Sequence, residues 1–187
     1  TYIMKHKIAF KPIVFSIALS ILLITTVVFF ARNHNSILSI NTDFLQQEIT
    51  EPEGPSPQIV QSARNQIGKT LRYDPAYTKL KYPMGDVPME KGVCTDVVIR
   101  ALREQNIDLQ ELVHQDMSRN FSVYPKRWGL KQPDTNIDHR RVPNLMTYFT
   151  RQGWAVQDTN YQAGDIVTWE LKGNRPHIGI VSDRKIG

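Results

Sequence analysis

Apolar and polar positions divide the chain into an apolar run, a polar stretch and a folded region. Residues 12–31 carry no charged side chain, and about 20 such residues suffice to cross a bilayer core as a helix. Residues 32–56 are polar and end in a Pro-rich string, which is typical of a solvated linker. The folded domain is therefore predicted over 57–187.

Helical spacing of apolar residues predicts four helices in the first part of this domain. Their predicted limits are Pro57 to Gly68, Cys94 or Thr95 to Asn106, a helix capped by Asp108, and Pro143 to Gly153. Between the first two helices, residues 70–92 contain too many prolines and glycines for regular structure. They predict an ordered loop rich in tyrosine.

After Gly153, apolar residues recur at every second position instead of at helical spacing. This pattern predicts strands over 154–156, 166–169 and 178–181, the last two joined by a turn at Gly173 and Asn174. Helices followed by strands indicate an α+β domain with N-terminal helices packed on an antiparallel sheet. Because no further strand covers the last one, we expect the domain to be incomplete at its C-terminus.

Charge along the chain gives little support to a nucleic-acid partner. The 187 residues include 23 Lys and Arg and 18 Asp and Glu, and four of the basic residues but none of the acidic ones lie within residues 1–42. The remaining domain is almost neutral, so no basic surface stripe is expected.

The basic residues Lys5, Lys7 and Lys11 precede the apolar run, and one arginine follows it. Positive-inside logic therefore places the N-terminus in the cytoplasm and exports the domain. The length of the run favours an uncleaved membrane anchor over a cleaved signal peptide.

The single cysteine excludes an internal disulfide and a thiolate-rich zinc site. Cys94 is either a core filler, a partner in an intermolecular bridge or a nucleophile. It begins a helix whose free amides favour a thiolate, so we expect a lowered thiol pKa. His177 is the best candidate base, because it begins a strand and shares a face with Gly179. Spacing alone leaves open whether the two residues form a pair.

Other polar residues have a functional and a structural interpretation. Asp138, His139 and Arg140 precede the Pro143 helix as part of a charged string that ends at Arg141. They either cap that helix with solvated charges or bind a substrate carboxylate through an arginine fork, for which we choose Arg140.

Tyr73, Asp74 and Tyr77 either line a groove beside Cys94 or anchor their own loop. His114 and Asp116, even together with the distant His139, lack the ligand spacing of a metal site and are predicted to be surface residues.

Several strings of residues resemble known families. The Gly-Asp start of the 164–169 strand, followed by the His177 strand, resembles NlpC-type papain-like cysteine peptidases, whose nucleophile also begins a helix. More specifically, the strings 92–100, 138–145 and 176–183 resemble the domain-of-unknown-function family 1287 of bacterial envelope proteins. The resemblance covers roughly 57–187.

This resemblance implies a Cys94 nucleophile and a His177 base. The implied protein is a cysteine hydrolase at the bacterial inner membrane, facing the periplasm, or free in the periplasm if residues 1–31 are removed. It would cleave an amide bond in peptidoglycan peptide through a Cys94 thioester, without metal or organic cofactor. The candidate substrate-binding residues are Tyr73, Asp96, Asp138, His139 and Arg140. A thiol acyltransferase and a catalytically silent wall-binding module are the alternatives.

The sequence departs from the NlpC pattern at two points. Val93 stands where those enzymes commonly have an aspartate, and Asp96 lies two residues after Cys94 instead. Their third, imidazole-orienting residue would follow the histidine strand, and the given sequence ends ten residues after His177. No third catalytic residue is therefore assigned.

Overall fold

The computed structural model describes residues 6–8 and 57–183. The helices in this part of the chain are α1 (Pro57–Arg64), α2 (Cys94–Arg103), α3 (Leu109–Asn120) and α4 (Val142–Arg151). The strands are β1 (His6–Ile8), β2 (Arg72–Tyr73), β3 (Lys91–Gly92), β4 (Ala155–Val156), β5 (Ile166–Leu171) and β6 (Arg175–Ile180). Single 3-10 turns cover Phe121–Val123 and Asp138–Arg140.

The main sheet is antiparallel and has the strand order β4-β1-β5-β6. Trp169 lies opposite His177 across the β5–β6 pair. Gly173 and Asn174 in the connecting turn have positive φ angles of 83° and 54°, which glycine and asparagine adopt most readily. The predicted turn is confirmed.

The hydrophobic core lies between the helices and one face of this sheet. Its fully buried residues include Val98 and Leu102 from α2, Phe149 from α4, and Ile166 and Ile178 from the sheet. The predicted α+β arrangement of helices on an antiparallel sheet is confirmed in this part of the chain.

Most predicted helix limits are confirmed, but the predicted C-terminal end of the first helix is wrong. Asp108 accepts the Gln110 backbone N–H and caps α3, and Asn106 ends the preceding turn with φ of 61°. In contrast, α1 ends at Arg64, so Ile67 falls beyond the helix and is 78% exposed.

The tyrosine-rich loop is ordered as predicted, and a buried arginine holds it. The Arg100 guanidinium forms an ion pair with Asp86 and donates to the Thr70 hydroxyl and to the carbonyls of Val87 and Lys91. The short parallel pair of β2 and β3 inside this loop was not predicted, because two-residue strands leave no periodic pattern.

The N-terminal strand lies where the sequence predicted none. Lys7 of β1 pairs with Val156 on one side and Val167 on the other. A cytoplasmic Lys7 followed by a membrane span cannot pair with a sheet on the far side of that membrane, so this pairing and the predicted topology exclude each other. The predicted span over 12–31 lies outside the described residues. None of the helices in the described part of the chain combines the length and apolarity that a bilayer crossing needs.

Candidate functional site

Cys94 is the first residue of α2, directly after β3 and Val93. Its side chain is half-buried, and backbone N–H groups of Ile178, Thr95 and Cys94 itself are directed at the sulfur. Burial nevertheless raises the pKa of the thiol, and these amides offset that effect only in part. The expectation of a lowered thiol pKa is therefore wrong. At neutral pH the side chain is a thiol.

His177 lies on β6 and lines the same depression of about 330 Å³ as Cys94. Burial lowers the pKa of the imidazole, so the ring is neutral at pH 7. The Trp169 ring contacts the imidazole edge-on, with 4.7 Å between ring centroids. A side chain at Gly179 would place its Cβ 3.1 Å from Trp169, so the glycine makes room for this indole. The structure thus brings the predicted pair to one depression, with His177 held by an aromatic neighbour.

No side chain within residues 57–183 forms a hydrogen bond with the His177 imidazole. An NlpC-type site would use a polar third residue to orient the ring. Here the contact that fixes the ring orientation is the indole of Trp169.

Asp96 and Arg140 were predicted to bind substrate, and the structure assigns both to the support of Cys94. Asp96 accepts the Val93 backbone N–H at 2.7 Å and forms a buried ion pair with Arg140. The Thr95 hydroxyl also donates to the Arg140 carbonyl, at 3.0 Å. The start of α2 is therefore tied to the turn Asp138–Arg140, and the fork of Arg140 is already occupied.

The two preceding residues of the string are buried as well, which contradicts their predicted contact with substrate. His139 is 2% exposed, and burial lowers its pKa to about 4. Asp138 is 1% exposed and accepts the Asp134 backbone N–H, and burial raises its pKa. Both were expected at a surface because the sequence pattern does not distinguish a buried turn from an exposed one.

A second and larger depression, of about 460 Å³, is also lined by Cys94. We call it the aromatic cleft; its walls include Tyr73, Tyr77, Trp128, Arg141 and Pro143. Tyr73 lines both depressions, and a Cys94 thiolate would raise its pKa further, in addition to the effect of burial. Tyr73 therefore fits the groove interpretation, and Tyr77 fits both interpretations, because its hydroxyl also donates to Asp134 at 3.0 Å.

Asp74 fits the loop-anchor interpretation instead. Its carboxylate pairs with Lys91 at 2.9 Å and accepts the Ala76 backbone N–H. Asp116 is likewise occupied, by Arg151 at 2.7 Å and the Tyr124 hydroxyl at 2.6 Å. His114 packs edge-on against Tyr82.

Comparison with known proteins agrees with this placement of the domain. The family model described as "Domain of unknown function (DUF1287)" matches residues 60–186. The chain belongs to this family. The "Uncharacterized protein YijF" of Escherichia coli (strain K12) is 53% identical over 163 residues, which cover 79% of each chain. No solved structure matches the chain.

Three residues of the candidate site were not predicted from the sequence. Trp128 and Arg141 line the aromatic cleft, with the guanidinium carbon of Arg141 4.1 Å from the Trp128 ring centroid. Gly92 is needed because a Cβ there would lie 2.9 Å from a carboxylate oxygen of Asp96. Adjacent residues of an irregular turn point to different sides, and the sequence alone does not show which arginine of the string faces the cleft.

Proposed function

We propose that this DUF1287 domain is an exported cysteine hydrolase with an NlpC-like arrangement, acting on an amide bond of peptidoglycan peptide. One observation carries the proposal. Cys94 begins a helix, receives backbone N–H groups at its sulfur, and shares a solvent-accessible depression with His177. A nucleophile at a helix start and a base on a strand are the two parts that thiol-dependent acyl transfer requires.

The raised thiol pKa and the lowered imidazole pKa define the resting state of this pair. Both groups are neutral near pH 7, so the thiol proton must pass to the imidazole of His177 as sulfur attacks the amide carbon. The backbone N–H groups of Cys94 and Thr95 then stand close to the developing oxyanion.

The remaining steps return each group to its starting state. The tetrahedral intermediate collapses, the C–N bond breaks, and the His177 imidazolium protonates the leaving amine. Water then attacks the thioester and gives a proton to His177, and collapse releases the acid while the sulfur is reprotonated. An acyltransferase would differ only in using an amine in place of water.

The choice of substrate is supported by the chain outside the site. The uncharged run over 12–31 favours export, in which case the exported sheet lacks β1, and the resemblance to bacterial envelope proteins favours a cell-wall substrate. The aromatic cleft beside Cys94 provides the extended apolar and hydroxyl-bearing walls that a peptide chain can occupy.

The decisive experiment measures amine release from purified wall peptides by mass spectrometry. Cys94→Ser and His177→Ala should each abolish release with little change in melting temperature. The double variant should be no worse than either single one, because residues that act as one unit are non-additive. Arg127→Ala, at an exposed position, is the control. Near-normal release by His177→Ala would remove the base assignment.

A silent wall-binding module is the second candidate, because a thiol with a raised pKa is also what a packing cysteine shows. This candidate predicts that wall fragments bind equally well to the parent protein and to Cys94→Ser. It also predicts no amine release by either protein.

A further inference from the structure

The aromatic cleft is lined by two charged side chains, Arg140 and Arg141. The first of them is not available to a ligand. Its Nε and Nη2 atoms donate to the two oxygens of Asp96 at 2.8 and 2.9 Å, and the side chain is almost completely buried. A ligand in the cleft would therefore meet its positive charge at Arg141.

The guanidinium of Arg141 has weak internal partners. Its nearest carboxylate oxygen, Oδ1 of Asp138, lies 3.6 Å from Nη1, which is beyond hydrogen-bond distance. Within residues 57–183, both of these buried atoms lack a hydrogen-bond partner. Because Nη1 is buried and faces Asp138, a ligand in the cleft would not reach it. The other two guanidinium nitrogens of Arg141, Nε and Nη2, are not buried and form no hydrogen bond within residues 57–183, so they are the groups that would donate to a carboxylate in the cleft.

The position of Arg141 suits that purpose. Its guanidinium lies over the ring of Trp128, which is 44% exposed and forms part of the cleft wall. Stacking on an indole fixes the plane of the guanidinium and leaves its edge free for a planar anion. Cys94 lies in the same cleft, so an anion bound at Arg141 belongs to a molecule within reach of the sulfur.

We propose that Arg141, stacked on Trp128, binds a carboxylate of the substrate, so that the hydrolase acts on an acidic peptide with a free carboxylate close to the scissile amide. This inference rests on the proposed hydrolase function. It replaces Arg140 by Arg141 as the residue that determines specificity, since an arginine fork matches a carboxylate with two parallel hydrogen bonds.

Alkylation of Cys94 tests this assignment without any turnover. Iodoacetate carries the carboxylate and iodoacetamide is its neutral analogue, so the ratio of their rate constants reports anion attraction at the sulfur. Arg141→Gln should lower that ratio roughly tenfold, the scale of a hydrogen bond to a charged group. Arg127→Gln, at an exposed position outside the aromatic cleft, should leave the ratio unchanged. An unchanged ratio in a folded Arg141→Gln protein overturns the proposal.

A second measurement uses the parent protein, in case the variant does not fold. Glutarate should slow the alkylation of Cys94 by iodoacetamide, whereas glutaramide at the same concentration should not. Equal effects of the two compounds overturn the carboxylate site. Neither measurement depends on amide cleavage, so a failure of the hydrolase proposal is seen separately, as absence of amine release.

Discussion

The Asp96 carboxylate and the Arg140 guanidinium form a buried two-point ion pair directly behind the nucleophile candidate. Asp96 also accepts the Val93 backbone N–H, and Thr95 donates to the Arg140 carbonyl. The pair therefore fixes the backbone on both sides of Cys94.

Arg140→Lys should destabilise the fold. Lysine keeps the charge but loses the planar fork, so we expect the free energy of unfolding to fall by about 1–3 kcal/mol. Urea denaturation measures this change, with the exposed Arg119→Lys as the control. Unaltered stability together with weakened substrate binding would return Arg140 to the role of substrate ligand.

The reactivity of Cys94 should depend on pH as expected for a buried thiol. Because burial raises its pKa, the rate of alkylation by iodoacetamide should keep rising above pH 8.5, the ordinary value for a cysteine. The same cysteine in urea-unfolded protein provides the matched reference, with a midpoint near that ordinary value. A plateau below pH 7 in the folded protein would instead indicate a preformed thiolate.

Mild acid should destabilise the domain through His139. Its pKa of about 4 in the folded protein lies below the value near 6.5 of an unfolded chain, so the unfolded state binds more protons between these two values. Stability contributed by the neutral ring is present above pH 6.5 and is lost as pH falls towards 4, by on the order of 3 kcal/mol.

Urea midpoints between pH 6.5 and 5, above the range in which most carboxylates titrate, report this effect together with that of His177, whose pKa burial also lowers. His139→Phe should flatten the decline there, whereas His114→Asn should retain it. An unchanged slope in His139→Phe would show that the ring is not buried in its neutral form.

The topology of the chain is tested by a reporter fused after Gly187. We expect the reporter to be active only outside the cytoplasm and the protein to stay in membranes after a salt wash, because Lys5, Lys7 and Lys11 precede an uncharged run. A soluble exported form starting near residue 32 would identify a cleaved signal instead. A cytoplasmic reporter would favour the pairing of β1 with β4 and β5 in the cell and refute export.

Sequence periodicity predicted the elements that carry a long apolar pattern. The α2 start at Cys94, the Asp108 cap and the β5–β6 hairpin all have local signals of this kind. What the sequence did not predict depends on long-range contacts. The ion pair of Asp96 with Arg140 joins residues 44 positions apart. For Cys94, burial raises the thiol pKa by more than the backbone N–H groups at the helix start lower it.

The direction of the Ile178 backbone N–H affects how the sheet can associate with other chains. In the described part of the chain β6 is an edge strand, and the N–H that Ile178 directs at the Cys94 sulfur is one that a foreign strand would otherwise pair with. The sulfur thus occupies the position that the carbonyl oxygen of an added strand would take. Any reagent that modifies Cys94 and pulls the sulfur away would expose this amide, so covalent labelling is expected to increase self-association.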